Sequence, residues 1–354
     1  MSKFLSKRLE ALKPYTPGEQ PGGRKYIKLN TNESPFPPSP RAIRLAGEEL
    51  DRLMLYPDPD CKELTAALAD TLGVATDMIV LGNGSDEILN FAFMAFCDES
   101  RPAIFPDITY GFYKVFAAVN ALPCEEIPLG ESFEVKIDDY VGRAGTVFIA
   151  NPNAPTGIPL PLSEIERLLS ADPERVVVID EAYVDFGGES AISLIPKYPN
   201  LLVTGTFSKS RSMAGARLGF GVGQAELISD LTRIRYSTNP YNVNRMTAAA
   251  GLGALLDREY FEDNCKSIIE NREWTAGELK RLGFTMTDSR ANFIFAKSDA
   301  IGGEELYLAL KERGVLVRHF TGARICEYNR ITVGSRDEMQ ILVDNIKEIL
   351  EAKQ

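Results

Sequence analysis

Short apolar runs separated by amphipathic stretches dominate the chain between residues 77 and 207. The runs are rich in Val, Ile, Leu and Phe, which is typical of strands buried on both faces of a parallel sheet. The stretches between them have helical periodicity and are long enough for crossover helices. The runs are 77-DMIVL-81, 102-PAIF-105, 146-TVFIA-150, 176-VVVID-180 and 200-NLLVTGTF-207, and the helical stretches are 85–96, 110–120 and 163–170. This order predicts an α/β domain with a mostly parallel sheet between helices.

A second, smaller domain is predicted near the C-terminus. The stretch 261–282 has the pattern of one long charged amphipathic helix, and the segments after it follow in β-α-β-β-α order, typical of a two-layer α+β domain. At the other end, residues 1–15 predict a short amphipathic helix, and the Pro- and Gly-rich stretch up to residue 40 predicts an extended arm. We therefore expect three parts: an N-terminal arm and helix associated with the small domain (1–35), a large domain (36–260) and a small domain (261–354).

Charge and composition narrow the classes of function. The 354 residues include 39 Lys and Arg against 50 Asp and Glu, a formal net charge of −11, and no basic run, which argues against nucleic acid as a partner. The five cysteines are odd in number and scattered, so we expect reduced thiols in a reducing compartment. The only histidine, His319, leaves little for a metal site built on histidines or for a Ser-His triad, and we predict no metal. No apolar stretch approaches the ~18 residues that span a bilayer, so we expect a cytoplasmic protein without a membrane partner.

Polar residues follow the predicted strands, where ligands bind in open α/β sheets. The loop 82-GNGSDE-87 leads into a helix whose N-terminus could bind an anion, although for this loop alone we favour a plain turn with Ser85 as the N-cap. Asp180 ends an apolar strand, so its carboxylate needs solvent, an N-cap role or a cationic partner such as a protonated ligand nitrogen. The loop 151-NPNAPTG-157 could present its amides to a ligand or form only a turn. Tyr110 could be a ring-stacking residue or part of the core.

The segment 206-TFSK-209 contains the most informative lysine of the sequence. Lys209 lies between an apolar strand and small residues, where removal from water favours a neutral, nucleophilic amine. Arg217 and the hydroxyls of Thr206 and Ser208 would suit a phosphate ester. Neither of the glycine-rich nucleotide motifs, GxxxxGK[ST] and GxGxxG, is present. From these residues alone, Lys209 could be a nucleophile, a phosphate ligand or a surface lysine.

Together, these segments resemble the pyridoxal-phosphate-dependent aminotransferases of fold type I. The resemblance rests on 82-GNGSDE-87, 110-YGFY-113, 153-NAPTG-157, 180-DEAY-183 and 206-TFSKSRSMAGARLGF-220. Three further segments, 29-LNTNESPF-36, 56-YPDP-59 and 330-RITVGSRDEM-339, are similar to the subfamily that acts on histidinol phosphate. The resemblance covers nearly the whole chain. It implies a seven-stranded, mostly parallel sheet in the large domain, a smaller α+β domain formed by the C-terminal part with the N-terminal segment, and pyridoxal 5'-phosphate as the cofactor.

The resemblance also implies a role for each matching residue. Lys209 would bond covalently to the cofactor aldehyde and transfer the substrate proton, while Asp180 would pair with the pyridine nitrogen and keep it protonated. Tyr183 would bind the ring hydroxyl, and Tyr110 would stack on the ring face. The remaining contacts, mainly to the phosphate, would come from Gly84, the backbone amides of Ser85 and Asp86, the side chains of Thr206, Ser208 and Arg217, and Tyr56 of the second subunit of a homodimer.

One position departs from the family pattern. Relatives usually read NPNNPTG, with the cofactor-binding asparagine directly before PTG, whereas Ala154 occupies that position here. Either Asn153 takes over the contact with the ring hydroxyl or Tyr183 holds it alone. We favour Asn153.

The resemblance implies a ping-pong amino transfer between small molecules. Arg330 would bind the substrate carboxylate through two parallel hydrogen bonds, and Arg318, Tyr15 and Asn32 would bind the rest of the substrate. The expected reaction transfers the amino group of histidinol phosphate to 2-oxoglutarate, giving imidazole acetol phosphate and glutamate in histidine biosynthesis. Three alternatives remain open: an aromatic amino acid aminotransferase, a threonine-phosphate decarboxylase of the same fold, and a binding protein for nucleotide or sugar phosphates without covalent chemistry.

Overall fold

A computed structural model of the chain describes residues 2–10, 12–20, 22–23 and 25–353. The first strand, β1 (Ile27–Lys28), belongs to the small domain, and the next seven form the sheet of the large domain. These are β2 (Ile79–Asn83), β3 (Ala103–Pro106), β4 (Cys124–Ile127), β5 (Thr146–Ala150), β6 (Val177–Asp180), β7 (Leu201–Thr206) and β8 (Leu218–Gly223). The order across the sheet is β2-β8-β7-β6-β5-β3-β4. Strand β8 is antiparallel to both its neighbours, and the pairs from β7 to β4 are all parallel. The predicted mostly parallel, seven-stranded sheet is therefore confirmed.

Helices cover both faces of this sheet. They are α1 (Pro40–Glu48), α2 (Lys62–Leu72), α3 (Ser85–Phe96), α4 (Phe112–Val119), α5 (Leu162–Ala171), α6 (Ala225–Thr238) and α7 (Arg245–Leu256). Alternate strand residues point to opposite faces. In β6, Val177 and Ile179 thus pack into the core beneath α2 and α5, while Val178 packs with residues of α3, α4 and α6 on the other face. Burial on both faces explains why these strands are apolar without interruption.

The small domain contains a four-stranded antiparallel sheet and three helices. In chain order its elements are α8 (Arg258–Arg281), β9 (Phe284–Met286), β10 (Phe293–Ser298), α9 (Gly303–Glu312), β11 (Val315–Leu316), β12 (Arg318–His319), β13 (Asn329–Thr332) and α10 (Arg336–Glu351). The sheet order is β12-β13-β10-β9, and β1 pairs in parallel with β11. The N-terminal segment thus joins the C-terminal part in one small domain, as predicted.

An extended arm precedes β1 and is fastened to the small domain. The carboxylate of Glu19 accepts hydrogen bonds from the Tyr307 hydroxyl and the Lys311 ammonium, and its backbone carbonyl accepts one from the Asn30 side chain. Farther toward the N-terminus, the ring of Tyr15 stacks on Phe112 of the large domain, with 4.3 Å between the ring centres. The arm therefore contacts both domains.

Two regions differ from the elements predicted by sequence. In place of the short helix expected within residues 1–15, the described residues of that stretch contain only a 3-10 turn at Lys7–Leu9. Phe4 is 85% exposed there, so no packed apolar face stabilises a helix so short. The large sheet also contains β4 and β8, which the apolar pattern does not reveal. The first is a half-exposed edge strand, and the second has glycine at every other position.

Two features are absent from the described residues. None of the described helices combines the length and apolar character that crossing a bilayer requires. Within the same residues, no group of three or more His, Cys, Asp and Glu side chains is arranged to hold a metal ion.

Candidate active site

A cavity opens at the carboxyl ends of β5, β6 and β7, where the topology predicts a ligand site. Parallel strands bring their carboxyl ends to one edge, so residues distant in sequence meet there. The cavity is lined by Ser85, Asp86, Tyr110, Ala150, Ala154, Asp180, Ala182, Tyr183, Thr206, Ser208, Lys209 and Arg217. Nine of these are residues that the sequence analysis assigned to the cofactor or to catalysis.

Asp180 is a buried carboxylate without a cationic partner. It ends β6 and is only 4% exposed. Its two oxygens accept hydrogen bonds from the hydroxyls of Tyr113 (3.1 Å) and Thr204 (3.2 Å), and no described cation forms an ion pair with it. Burial raises the pKa of its carboxyl group to about 6. Among the described residues Asp180 therefore lacks a cationic partner, which a protonated ligand nitrogen would supply.

The opposite end of the cavity is suited to an anion. Helix α3 begins at Ser85 after Gly84, and the unpaired N–H groups of its first turn point out of the helix end. A Cβ atom on Gly84 would lie 2.6 Å from a guanidinium nitrogen of Arg217, so only glycine allows this approach. Arg217 also donates hydrogen bonds to Ser208 and Asp86. A phosphate would meet a guanidinium group, hydroxyl groups and a helix N-terminus together.

Lys209 lies between these two ends. Strand β7 stops at Thr206, and the half-buried Lys209 follows, with its ammonium nitrogen 3.4 Å from the carbonyl oxygen of Thr31. The same nitrogen lies 5.8 Å from the centre of the Tyr183 ring. An amine near an anion site and an unpaired carboxylate is placed to react with a ligand that spans both.

Two arginines of the small domain lie beside each other, and no described carboxylate forms an ion pair with either. Arg318 of β12 and Arg330 of β13 are cross-strand neighbours. Arg330 donates one hydrogen bond to the Asn30 carbonyl, and its buried Nε has no protein partner. Within the described part of the chain, the hydrogen bonds of the Arg318 side chain go to the arm, as weak contacts with the carbonyls of Thr16 and Pro17. Neighbouring like charges are unfavourable unless an anion lies between or near them, so this pair is suited to an anionic ligand.

Comparisons with known proteins agree with this geometry. A family model described as aminotransferase class I and II matches residues 24–346. A histidinol-phosphate aminotransferase from Clostridium acetobutylicum is 47% identical over 351 residues, which cover 99% of this chain and 100% of that protein. The chain belongs to the class I and II aminotransferases. This assignment confirms the family that the sequence analysis indicated.

Solved structures similar to this aminotransferase show the same fold. A histidinol-phosphate aminotransferase from Sinorhizobium meliloti in complex with pyridoxal-5'-phosphate has a TM-score of 0.90 and 23% identity, covering 100% of this chain and 99% of that one. An L-threonine-O-3-phosphate decarboxylase from Porphyromonas gingivalis has a TM-score of 0.80 and 23% identity, covering 92% of this chain and 99% of that one. Since both share the fold, the fold by itself does not choose between amino transfer and decarboxylation.

The described residues fit the cofactor that this family uses. Pyridoxal phosphate combines an aldehyde, a basic ring nitrogen and a phosphate. The cavity of this aminotransferase offers an amine at Lys209, an unpaired buried carboxylate at Asp180 and an anion site at Arg217. The unpaired state of Asp180 is the most specific of these features, because an isolated buried carboxylate is costly unless a cation joins it.

In the loop that departs from the family pattern, the side chain of Asn153 is bonded to neighbouring residues. Ala154 lines the cavity, whereas Asn153 does not. All the bonds of the Asn153 side-chain amide are to neighbouring described residues. Its oxygen accepts from the Thr109 hydroxyl, and its nitrogen donates to the Ile108 carbonyl and the Thr156 hydroxyl. The contact of Asn153 with a ring hydroxyl therefore stays a prediction, and Tyr183 is the nearer candidate.

Seven predicted site residues are not part of the cavity lining: Gly84, Asn153, Arg318 and Arg330, described above, and Asn32, Tyr15 and Tyr56. Asn32 is 1% exposed, and its side chain is bonded to Tyr183 and Thr332. Tyr15 lies against Phe112 in the arm. Tyr56 is 77% exposed and stacks on Tyr241, outside the cavity lining.

Two residues of the site escaped the sequence analysis. Tyr113 and Thr204 hydrogen-bond Asp180, and burial together with that carboxylate raises the pKa of Tyr113 well above its ordinary value. Tyr113 lies one helical turn after Tyr110, so a helix beginning near residue 110 would place both on one face. Asp86 was expected to contribute its backbone, yet its carboxylate accepts from the Tyr110 hydroxyl at 2.7 Å and pairs with Arg217.

Proposed function

We propose that this aminotransferase transfers the amino group of histidinol phosphate to 2-oxoglutarate, giving imidazole acetol phosphate and glutamate, with pyridoxal phosphate as the cofactor. The buried, unpaired carboxylate of Asp180, in one cavity with Lys209, carries the cofactor assignment. The choice of substrate is supported by a relative of that name at 47% identity over nearly the full chain. The two arginines without carboxylate partners suit substrates that carry phosphate or carboxylate groups.

Lys209 and Asp180 would act on opposite ends of the cofactor. When bound, pyridoxal phosphate supplies a protonated ring that accepts the electron pair released at the substrate carbon. Asp180 would keep the ring nitrogen protonated, and the ring nitrogen would in turn stabilise the carboxylate as an anion. The Lys209 amine would bond to the cofactor aldehyde and, once displaced by substrate, transfer the proton to and from the substrate carbon.

The other cavity residues would orient the cofactor. Arg217, Ser208 and Thr206 would bind the phosphate together with the α3 N-terminus at Ser85. Tyr110 would lie against the ring, held in place by its bond to Asp86, and the Tyr183 hydroxyl would donate to the ring oxygen. These groups would fix the ring before reaction, so that little reorganisation is needed when charge develops.

Arg330 and Arg318 would bind the anionic groups of the substrates. Burial lowers the pKa of the Arg330 guanidinium, and an incoming carboxylate would compensate that burial. The free Nε of Arg330 would add a second donor for a two-point contact. Because Arg318 is bonded to the carbonyls of Thr16 and Pro17, a substrate bound there would also lie beside the arm.

Cofactor binding would require a homodimer. A surface around residues 50–56 exposes large apolar side chains: Leu50 (53%), Leu53 (56%), Met54 (81%), Leu55 (54%) and Tyr56 (77%). A contiguous apolar surface of this kind marks an interface with another protein. In the proposed homodimer, Tyr56 would leave solvent and reach the cofactor phosphate of the second protomer.

Mixing two impaired variants tests the homodimer. Lys209→Ala and Tyr56→Ala homodimers are each expected to have low activity. After dissociation and reassociation, hybrid dimers would hold one site with both residues intact, and activity should recover. No recovery, with hybrids verified by mass, would mean that Tyr56 acts within its own chain or not at all.

Spectroscopy and kinetics test the function itself. The protein with added pyridoxal phosphate should show a visible absorbance band that disappears on borohydride reduction, with the added mass on Lys209. The Lys209→Ala variant should lose the band, whereas the exposed Lys266→Ala control should keep it. A colourless wild-type protein would favour the phosphate-binding alternative.

Substrate assays then separate the remaining alternatives. Histidinol phosphate with 2-oxoglutarate should give a higher kcat/KM than phenylalanine or tyrosine as amino donor. Glutamate formation without carbon dioxide release would distinguish amino transfer from decarboxylation of threonine phosphate. A preference for aromatic donors would overturn the proposed substrate but keep the cofactor assignment.

A further inference from the structure

A chain of hydrogen bonds connects the small domain to the Tyr183 hydroxyl. The backbone N–H of Asn32 donates to the Thr332 hydroxyl (2.9 Å), and that hydroxyl donates to the Asn32 side-chain oxygen (3.1 Å). The side-chain nitrogen of Asn32 then donates to the Tyr183 hydroxyl oxygen (2.9 Å). Asn32 and Thr332 are each 1% exposed and Tyr183 is 8% exposed, so water does not compete for these bonds.

The first hydrogen bond of this series, from the backbone N–H of Asn32, fixes the direction of all the others. A backbone N–H can only donate, so the Thr332 oxygen must accept from Asn32. The single Thr332 hydrogen is then free to donate, and it selects the oxygen rather than the nitrogen of the Asn32 amide. The amide nitrogen is thereby turned toward Tyr183, where it can only donate. Tyr183 accepts this bond, so its own hydrogen points elsewhere, and the tyrosine lines the cavity.

The backbone of Asn32 is adapted to this role. It has φ of 56°, in the left-handed region that asparagine tolerates better than most residues. Its carbonyl oxygen accepts from the Asn292 side chain at 3.1 Å. The backbone N–H and the backbone carbonyl of Asn32 are therefore both hydrogen-bonded, and the residue is held between the two domains.

We infer that Thr332 is a positioning residue that, through Asn32, directs the Tyr183 hydroxyl hydrogen into the cavity, toward the ring oxygen of the cofactor. The inference rests on the proposed cofactor. Thr332 lies two residues after Arg330 on β13, so one strand carries both the proposed carboxylate contact and the residue that orients Tyr183. Asn32, first expected to touch substrate, acts in this scheme behind Tyr183.

The pH dependence of the visible absorbance of the cofactor-loaded protein tests this role. A hydrogen bond from Tyr183 would stabilise negative charge on the ring oxygen. Without this bond, the ring oxygen would attract the proton on the nitrogen between Lys209 and the cofactor more strongly, and the pKa of that nitrogen would rise. Thr332→Val keeps the shape but removes the hydroxyl, and should move the midpoint of the absorbance change to higher pH by about 0.5 to 1 unit. Thr332→Ser keeps the hydroxyl and should leave the midpoint near that of the wild type.

A double-mutant cycle with Tyr183→Phe separates orientation from a general structural effect. Tyr183→Phe should raise the midpoint by itself, and adding Thr332→Val should raise it little further. A midpoint that Thr332→Val leaves unchanged, or raises equally in both backgrounds, would overturn the inference. A wild-type protein that gains no visible band would instead overturn the proposed function.

A second variant serves if the valine protein does not fold. Asn32→Asp has nearly the same shape, but its carboxylate only accepts, so the Tyr183 hydrogen should turn toward it and away from the cavity. The midpoint should again rise, and by less in the Tyr183→Phe background, where only the added negative charge acts. Equal rises in both backgrounds would contradict the orientation of Tyr183 by residue 32.

Discussion

Replacing Asp180 by asparagine should stabilise the ligand-free protein while removing its function. The wild-type carboxylate is buried without a cation, and the pKa of its carboxyl group rises from an ordinary 3.8 to about 6. Asparagine has nearly the same shape and carries no charge. Tyr113 and Thr204 donate to the two carboxylate oxygens of Asp180; in the variant the amide oxygen can still accept from one hydroxyl, and the other hydroxyl can rotate to accept from the amide nitrogen.

The magnitude follows from proton linkage. Because the folded carboxyl binds its proton more tightly than the unfolded one, its contribution to stability is fully present below pH 3.8 and is lost as pH rises through about 6. A difference of about two pH units, at about 1.4 kcal/mol each, is ~3 kcal/mol. Asp180→Asn avoids this loss, so it should exceed the wild type in unfolding free energy by ~1.5 kcal/mol at pH 5 and ~3 kcal/mol at pH 8.

Denaturant unfolding of the ligand-free protein at several pH values measures this difference. The exposed Asp263→Asn variant is the control and should follow the wild type throughout. Added pyridoxal phosphate should stabilise the wild type more than Asp180→Asn, since the ring nitrogen supplies the missing cation only where a carboxylate is present. A stability difference independent of pH, or an Asp180→Asn protein less stable than the wild type at pH 8, would refute the reasoning.

Three further predictions concern the anion site, the substrate arginine and the arm. Gly84→Ala, with φ of +80° and a Cβ atom that would displace the Arg217 guanidinium, should weaken pyridoxal phosphate binding at least tenfold in an absorbance titration. Gly73→Ala, also at positive φ but with open space around it, should cost about 1 kcal/mol of stability in denaturant unfolding and leave binding unchanged. Arg330→Lys keeps the charge but loses the two-point contact, so KM for 2-oxoglutarate should rise about tenfold while the cofactor absorbance stays constant; an unchanged KM would remove Arg330 from the site. Glu19→Gln weakens the bonds that fasten the arm and should accelerate proteolysis within residues 12–20, measured by mass spectrometry; equal protection in both proteins would mean that other contacts hold the arm.

The position of the cavity could be predicted from sequence because it depends on local rules, whereas the roles proposed for its residues come from the resemblance to the aminotransferases. Apolar runs locate the parallel strands, and the carboxyl ends of those strands meet at one edge, which brings Asp180 and Lys209 together. Strand β8 could not be found in this way, since glycine occupies every other position of Leu218–Gly223. The reason is steric: a Cβ atom on Gly219 would lie 2.1 Å from the backbone nitrogen of Ser85, where α3 packs on the sheet.

Contacts between distant segments left no pattern in the sequence. The bonds between Asn32 and Thr332 join residues 300 positions apart, and nothing near either residue indicates the other. The amide of Asn153 illustrates a related problem. Its residue type suits a cofactor contact, but the direction of the amide is decided by neighbours such as Thr109 from another loop.

The pairing of β1 with β11 has a consequence for synthesis of the chain on the ribosome. Lys28 pairs with Leu316, so 316 minus 28, or 288, residues must be added before the first strand finds its partner. At about 5 to 20 residues per second, that interval is roughly 15 to 60 s. The large sheet is complete by Gly223, well before β12 and β13 emerge. A nascent chain could thus form the cofactor half of its active site while both substrate arginines are still untranslated.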